Sequence, residues 1–241
     1  MTIKIIINGA NGKMGKTAVD AIAHEKALTL VAITSRNDDL SSAIKKHHAD
    51  VVIDFTTPEA VFENTKTIIN AGASAVIGTT GLTLDQIETL KTLCFEKKRG
   101  AIIAPNFSIG AILTMKFARE AAAYFPDVEI IEYHHPKKLD APSGTAKKTA
   151  ELIAETKKTK NSCVDMQNES RGFLHHSVPI HAVRLSGLFA EEEVIFGGHG
   201  ETVTLSHRAS DRGAMMPGLF LCCRKVMTLD HLIYGMENFI F

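Results

Sequence analysis

The sequence has no C-x-x-C pair, no like-charge block of five, and no apolar run long enough to cross a bilayer. Each absence excludes a class. Without a charged block there is no interaction tail, and 27 basic residues balanced by 27 acidic ones leave no excess for nucleic acid. The nearest approach to a block is Glu191-Glu192-Glu193. The four cysteines, Cys94, Cys163, Cys222 and Cys223, read as structural thiols, since adjacent Cys222 and Cys223 point to different faces of a helix. The start, MTIKIIINGANG, lacks the cleavage site of a signal peptide and reads as the first strand of a cytoplasmic protein that does not enter membranes. Repeats and low-complexity segments are also missing.

What is present is an alternation of short apolar runs with helical patterns. Ile3–Asn8, Leu28–Thr34, Val51–Asp54, Ala75–Gly78 and Ala101–Ala104 suit strands buried on both faces of a parallel sheet. Between them, Met14–His24, Leu40–His47, Pro58–Ala71 and Thr83–Lys98 read as helices. Thr57 before Pro58 reads as a cap, and Thr83 with Gln86 fits a capping box. The fold class is therefore α/β, a doubly wound parallel sheet with right-handed crossovers. The pattern changes near Asn106. Ser108–Phe125 is a long helical candidate, Val128–Tyr133 a strand, and Ser143–Lys158 a helix. Asn161–Ser177 reads as a polar loop. Strands are expected at His181–Ser186, Glu193–Phe196 and Thr202–Arg208, with a glycine-rich hairpin turn between the last two. Ala214–Met227 reads as a final helix returning to the first domain, with Pro217 in its first turn.

Gly9-Ala10-Asn11-Gly12-Lys13-Met14-Gly15 follows the first strand and opens a helix. Small residues there admit a pyrophosphate, and a helix N-terminus offers N–H groups and a positive dipole end. Asn11 stands where a middle glycine would be, and Asn tolerates left-handed backbone. At the end of the second strand, Arg36 can grip a ribose 2′-phosphate while Ser35 adds no repelling charge, which favours NADP or dual use; the plain alternative is a solvated loop cation. Gly78-Thr79-Thr80-Gly81 and Ala104-Pro105-Asn106-Phe107 lie at carboxyl ends of strands, where open α/β sheets bind ligands. Phe107 can staple the next helix against Ile112 or pack on a nicotinamide ring.

The densest chemistry lies in Glu132–Ala146, EYHHPKKLDAPSGTA, on a strand-to-helix connection. Ser143 can cap the helix while the N–H groups of Gly144 and Thr145 receive a substrate carboxylate. His134, His135, Lys137 and Lys138 face one close acid, Asp140, so the loop reads as uncompensated positive charge beside an anion seat; Asp140 can instead orient the loop. Adjacent histidines on a strand point to opposite faces, so His134-His135 does not read as a metal site; His175-His176 lies in a polar loop, no third ligand stands at suggestive spacing, and no metal is expected.

These residues carry a resemblance. HH-x-x-K-x-DAPSGTA, with GANGKMG, DFTTPE, GTTG, APNFS and SHRASDR in order, resembles the dihydrodipicolinate reductase (4-hydroxy-tetrahydrodipicolinate reductase) family over most of the chain. The resemblance implies a Rossmann-like dinucleotide domain, 1–106 plus 213–241. It also implies an α+β substrate and tetramerisation domain with a mixed sheet, 107–212. Gly9, Ala10, Gly12, Lys13 and Met14 would contact NADPH or NADH, with Asn11 in the same loop. Gly78, Thr79, Thr80 and Ala104 to Phe107 would line the nicotinamide side. Arg36 matches a position linked to NADP. His134 would transfer a proton and Lys138 would be the second donor. His135, Gly144 and Thr145 would bind the substrate, beside Ser143. Three departures stand out: Ser35 replaces an acidic residue frequent for NAD, the segment between the second and third strands is short, and Thr57 replaces a frequent basic residue.

The implied reaction is hydride transfer to C4 of a cyclic imine dicarboxylate in lysine and diaminopimelate biosynthesis, by a homotetramer. A nucleotide-binding sensor without turnover and a zinc hydrolase using the histidine pairs are the alternatives.

Overall fold

The computed structural model describes residues 2–157 and 169–240. Two compact units emerge, Met1–Ser108 with Met215–Phe241, and Ile109–Ala214. Cys163, residues 161–168 of the expected polar loop, and Lys158 lie outside the described residues.

In the first unit, β1 (Ile3–Asn8), α1 (Lys13–Ile22), β2 (Leu28–Thr34), α2 (Leu40–His47), β3 (Val51–Asp54), α3 (Pro58–Asn70), β4 (Ser74–Ile77), α4 (Leu84–Lys97) and β5 (Ala101–Ile103) alternate along the chain. β3, β4 and β5 are buried at every residue, as strands covered on both faces must be. The Thr83–Gln86 capping box forms as expected. Thr57 occupies the cap position of α3, but its side chain makes no cap bond. Its hydroxyl is turned instead to the carboxylate of Glu59.

The second unit holds α5 (Ile109–Ala121), β6 (Asp127–His134), α6 (Gly144–Thr156), β7 (Phe173–His175), β8 (Val178–Arg184), β9 (Ala190–Gly198) and β10 (Glu201–Ala209). α5 stops four residues short of the expected Phe125, because Pro126 disfavours helical backbone in the residue before it. The sheet runs β10-β9-β6-β8-β7 and is mixed: β6 pairs parallel with β8 and antiparallel with β9. Val128, Ile130, Ile180, Val194 and Phe196 point from one face onto Ala118 of α5 and Ala146, Ala150 and Ile153 of α6.

β7 corrects the loop expected over this stretch. Its three residues pair antiparallel with β8 through a tight turn at His176 and Ser177, both left-handed. The strand arises from that pairing, since three residues alone carry no pattern that marks a strand.

The chain then returns to the first unit with α7 (Met216–Val226), β11 (Leu232–Tyr234) and α8 (Glu237–Ile240). Pro217 sits in the first turn of α7. β11, absent from the sequence reading, adds a parallel sixth strand beside β5. The completed sheet has the order β11-β5-β4-β3-β1-β2, and every neighbouring pair is parallel. Strand order reverses between β1 and β3, the place where ligands of such Rossmann-like sheets bind.

Candidate active site

The first unit builds its loops around β1 and β3. Gly9 ends β1 with φ +87, and a side chain there would come within 2.5 Å of the Phe55 carbonyl oxygen. Gly15 of α1 is equally constrained, since a Cβ would meet the Gly9 carbonyl oxygen at 2.4 Å. Glycine at both positions lets helix, turn and neighbouring strand close on one another. Gly9, not Asn11, takes the left-handed turn; Asn11 keeps an ordinary negative φ, which corrects the expectation for it. Gly12 caps α1 without a side-chain bond, and no acid stands in the first turn, so that turn remains suited to an anion. Asn11, Gly12 and Lys13 are exposed, Met14 and Gly9 half-buried, and Ala10 buried.

A buried brace that sequence reading missed holds these loops. Asp54, at the carboxyl end of β3, is fully buried. Its carboxylate accepts from Asn8 Nδ2 at 2.9 Å, Asn64 Nδ2 at 3.0 Å, Thr56 N at 3.1 Å, Thr56 Oγ1 at 2.7 Å and Thr79 Oγ1 at 2.9 Å. Asn8 accepts in turn from Thr34 Oγ1 at 3.0 Å. One carboxylate thus ties the ends of β1, β2 and β3 to α3 and to the turn after β4. Thr79 spends its hydroxyl on this brace, while Thr80 is exposed.

Gly78 lies against the Phe55 and Phe107 rings, which meet edge to face with centroids 6.0 Å apart. Phe107 is buried in that cluster; Ala104 is buried, Pro105 exposed and Asn106 half-buried. Arg36 is exposed and close enough to Glu59 to lower its carboxyl, after the hydrogen bond from Thr57. The backbone N–H and hydroxyl of Ser35 both donate to Asp38 at 2.8 Å.

In the second unit the site grows from the end of β6. Glu132 follows Val128 and Ile130 on the core-facing alternation, and its side chain is fully buried. Four donors converge on it. His134 Nδ1 lies 2.6 Å from Oε2 and Arg184 Nη1 2.8 Å from the same oxygen. Arg184 Nη2 lies 2.7 Å from Oε1, and the backbone N of Ser143 donates to Oε1 at 3.0 Å. Burial alone would raise this carboxyl, but the hydrogen bonds and charges of His134 and Arg184 outweigh it and hold the group near 2. Arg184 sits opposite His134 in the β6–β8 register and also donates to the Asp140 carbonyl at 2.8 Å.

Lys138 pairs with Asp140 at 2.8 Å, which lowers the Asp140 carboxyl. The loop is therefore not the uncompensated positive segment that its sequence suggests: Glu132 and Asp140 answer His134 and Lys138. Glu132 turns inward from the end of β6 beneath the loop, where His134 and the distant Arg184 both reach it. His135 stacks obliquely near Phe189, centroids 6.4 Å apart, and its buried Nδ1 has no partner among the described residues.

Ser143 is the cap of α6. It is 2 % exposed and its hydroxyl accepts from Ala146 N at 3.1 Å. The hydroxyl shapes the helix start, leaving the backbone of Gly144 and Thr145 as the face of the first turn. A side chain at Gly144 would meet no atom within 4 Å, so the approach to that turn is open.

Beside this site lies Glu192, directly opposite Glu132 across β6 and β9. It bonds Thr149 Oγ1 of α6 at 2.7 Å, its Oε2 has no partner among the described residues, and burial pushes its carboxyl up to about 7. In sequence it hides inside an acidic triplet; its inward position on a strand with Val194 and Phe196 was the available signal. A separate group, Glu151, His175 and His176, brings ligand-type atoms within 4.8 Å of one another and shares no residue with this site.

Comparison with known proteins is consistent along the whole chain. The family models described as "Dihydrodipicolinate reductase, N-terminus" and "Dihydrodipicolinate reductase, C-terminus" match residues 3–107 and 110–240. The 4-hydroxy-tetrahydrodipicolinate reductases of Coxiella burnetii (strain Dugway 5J108-111) and Legionella pneumophila (strain Philadelphia 1) are 55 % and 49 % identical, each over 100 % of both chains. A solved structure titled as the dipicolinate-bound dihydrodipicolinate reductase from Paenisporosarcina sp. TG-14 superposes with TM-score 0.92 and 41 % identity, covering 99 % of this chain and 100 % of that one.

Proposed function

The chain belongs to the dihydrodipicolinate reductase family, and we infer from that premise how its residues divide the work of the reaction. It is an NAD(P)H-dependent oxidoreductase that reduces 4-hydroxy-tetrahydrodipicolinate to tetrahydrodipicolinate. When bound, the reduced nicotinamide supplies the hydride.

The first unit fits the dinucleotide. Gly9 to Met14 receive the pyrophosphate on the uncapped start of α1, and a side chain at Gly9 would fill the turn. Gly78 to Thr80 and Ala104 to Phe107 offer mainly backbone, because Thr79 and Phe107 have their side chains engaged inside the unit. NADPH is favoured over NADH, since Arg36 is exposed at the end of β2 and Ser35 carries no charge.

The second unit fits the dicarboxylate. The first turn of α6 at Gly144 and Thr145, capped by Ser143, holds one carboxylate, and His135 supplies a further polar contact. His134 carries the proton on Nδ1 toward ionised Glu132, so Nε2 is the atom that meets the substrate. Lys138 stabilises charge arriving on the imine nitrogen or donates a proton there. The observation that carries this assignment is the convergence of His134 and the start of α6 on one buried carboxylate, Glu132, with Lys138 held by Asp140 in the same connection.

The protein is further proposed to be a cytoplasmic homotetramer. Ile131, Tyr133, Val183 and Ile195 lie on the sheet face opposite α5 and α6, only half-buried, as an association surface would be. The described cysteines are buried thiols, and burial pushes Cys94 and Cys223 up to about 12, as suits a reducing compartment. A steady-state assay with freshly generated hydroxy-tetrahydrodipicolinate tests the reading. Loss of reduced-nicotinamide absorbance that requires the substrate, and that dipicolinate inhibits, supports it; cofactor binding without oxidation contradicts it.

A further inference from the structure

Glu132 touches neither cofactor nor substrate in the reading above, yet the histidine and the helix start on the substrate side both hang from it. It bonds the proton-transfer histidine through one oxygen and the helix start that seats a carboxylate through the other. Arg184 bridges both oxygens and so fixes the plane of the carboxylate. We propose that Glu132 is the positioning residue of this active site, setting the His134 tautomer and the first turn of α6 with a single carboxylate. The proposal rests on the reductase reading and deepens it.

All four partners of Glu132 are donors: two guanidinium nitrogens, one backbone N–H and one imidazole nitrogen. A carboxylate accepts from all of them, whereas an amide has one accepting atom. In Glu132→Gln, one position must therefore carry an NH2 facing a former donor. The backbone N–H of Ser143 and the guanidinium of Arg184 can only donate, but a neutral imidazole can shift its proton. Arg184 faces both positions and loses one contact in either orientation, so the second partner decides: the amide nitrogen settles toward His134, whose Nδ1 becomes an acceptor and whose proton moves to Nε2. The substituted enzyme keeps its helix start and presents the wrong histidine tautomer.

The two roles separate by variant. Glu132→Gln is expected to reverse the His134 tautomer, read by 15N chemical shifts of the imidazole. It should lower kcat at least ~10²-fold while dipicolinate affinity falls little. Glu132→Ala removes the acceptor for Ser143 as well, and dipicolinate affinity should then fall at least ~10-fold. If Glu132 acts through His134, adding Glu132→Gln to His134→Ala should change kcat by less than about threefold, because residues that act as a unit are not additive. An unchanged tautomer in Glu132→Gln, or full additivity of the two substitutions, overturns the proposal. Should a variant fail to fold, shown by circular dichroism, Arg184→Lys serves in its place. That change loosens the carboxylate plane while leaving its charge, and it should lower kcat with a broadened His134 signal; an unperturbed signal and rate overturn the proposal. A wild-type chain with the Nδ1-protonated tautomer but no turnover would defeat the reductase reading and leave the positioning claim standing.

Discussion

Glu132 and Glu192 face each other across β6 and β9, both buried, and Arg184 serves only the first. Two adjacent carboxyls in a dry sheet do not both ionise readily. Arg184 and His134 give the charge to Glu132, held near 2, and burial leaves the proton on Glu192, pushed up to about 7. Below about pH 7 the site therefore contains one ionised and one neutral acid, both buried.

This asymmetry has a pH signature. Glu192 is raised above its ordinary 4.5, so the folded chain retains a proton that the unfolded chain releases. Its stabilising contribution is complete below about 4.5 and is lost as pH rises through about 7. The groups facing it are Glu132 on β6, His207 on β10 and Thr149 on α6. Burial lowers His207, so that group titrates toward its neutral form and does not neutralise an ionised Glu192. Thermal unfolding of wild type and Glu192→Gln between pH 5 and pH 8 should show a smaller decline in the variant. Parallel declines would place the proton elsewhere.

Asp54 is the corresponding anchor in the first unit, with five donor contacts from Asn8, Thr56, Asn64 and Thr79. Asp54→Ala leaves several buried donors without an acceptor, at a cost of about 1–3 kcal/mol for each group that stays unsatisfied. Urea unfolding should show a loss of at least ~2 kcal/mol, and the KM for reduced dinucleotide should rise about tenfold or more as the strand-end loops loosen. An unchanged cofactor KM would confine Asp54 to stability alone.

Arg36 is exposed and exerts a Coulomb pull on Glu59. Arg36→Ala should raise the KM for NADPH about tenfold, by loss of one charge-assisted contact to a 2′-phosphate, and leave that for NADH within about twofold. Equal changes for both cofactors would remove the 2′-phosphate role.

How much of this was legible in sequence depended on the range of the interaction. The parallel strands announce themselves because β3, β4 and β5 are apolar on both faces, and the Thr83–Gln86 box lies within one helical turn. The cluster His134 to Thr145 was visible because its chemistry is contiguous. The short strands β7 and β11 were not, since three residues of ordinary composition become strand only by pairing with β8 and β5. Arg184 lies 52 residues from Glu132 and joins it through the β6–β8 register, which no local pattern encodes. Thr79 reaches Asp54 across 25 residues in the same way. Charge balance in the His134 loop was hidden because Glu132, the acid beneath His134, reads locally as a strand residue.

The sharpest test concerns Lys138, whose ammonium pairs with Asp140 in the connection between β6 and α6. Turnover of hydroxy-tetrahydrodipicolinate by Lys138→Ala should be measured beside the dissociation constant of the reduced dinucleotide. Turnover is expected to fall ~10²–10⁴-fold while the dissociation constant stays within about twofold, because the lysine acts on substrate chemistry in the second unit. A near-normal rate, or an equal loss of cofactor affinity, would contradict the assignment of the reaction to this loop.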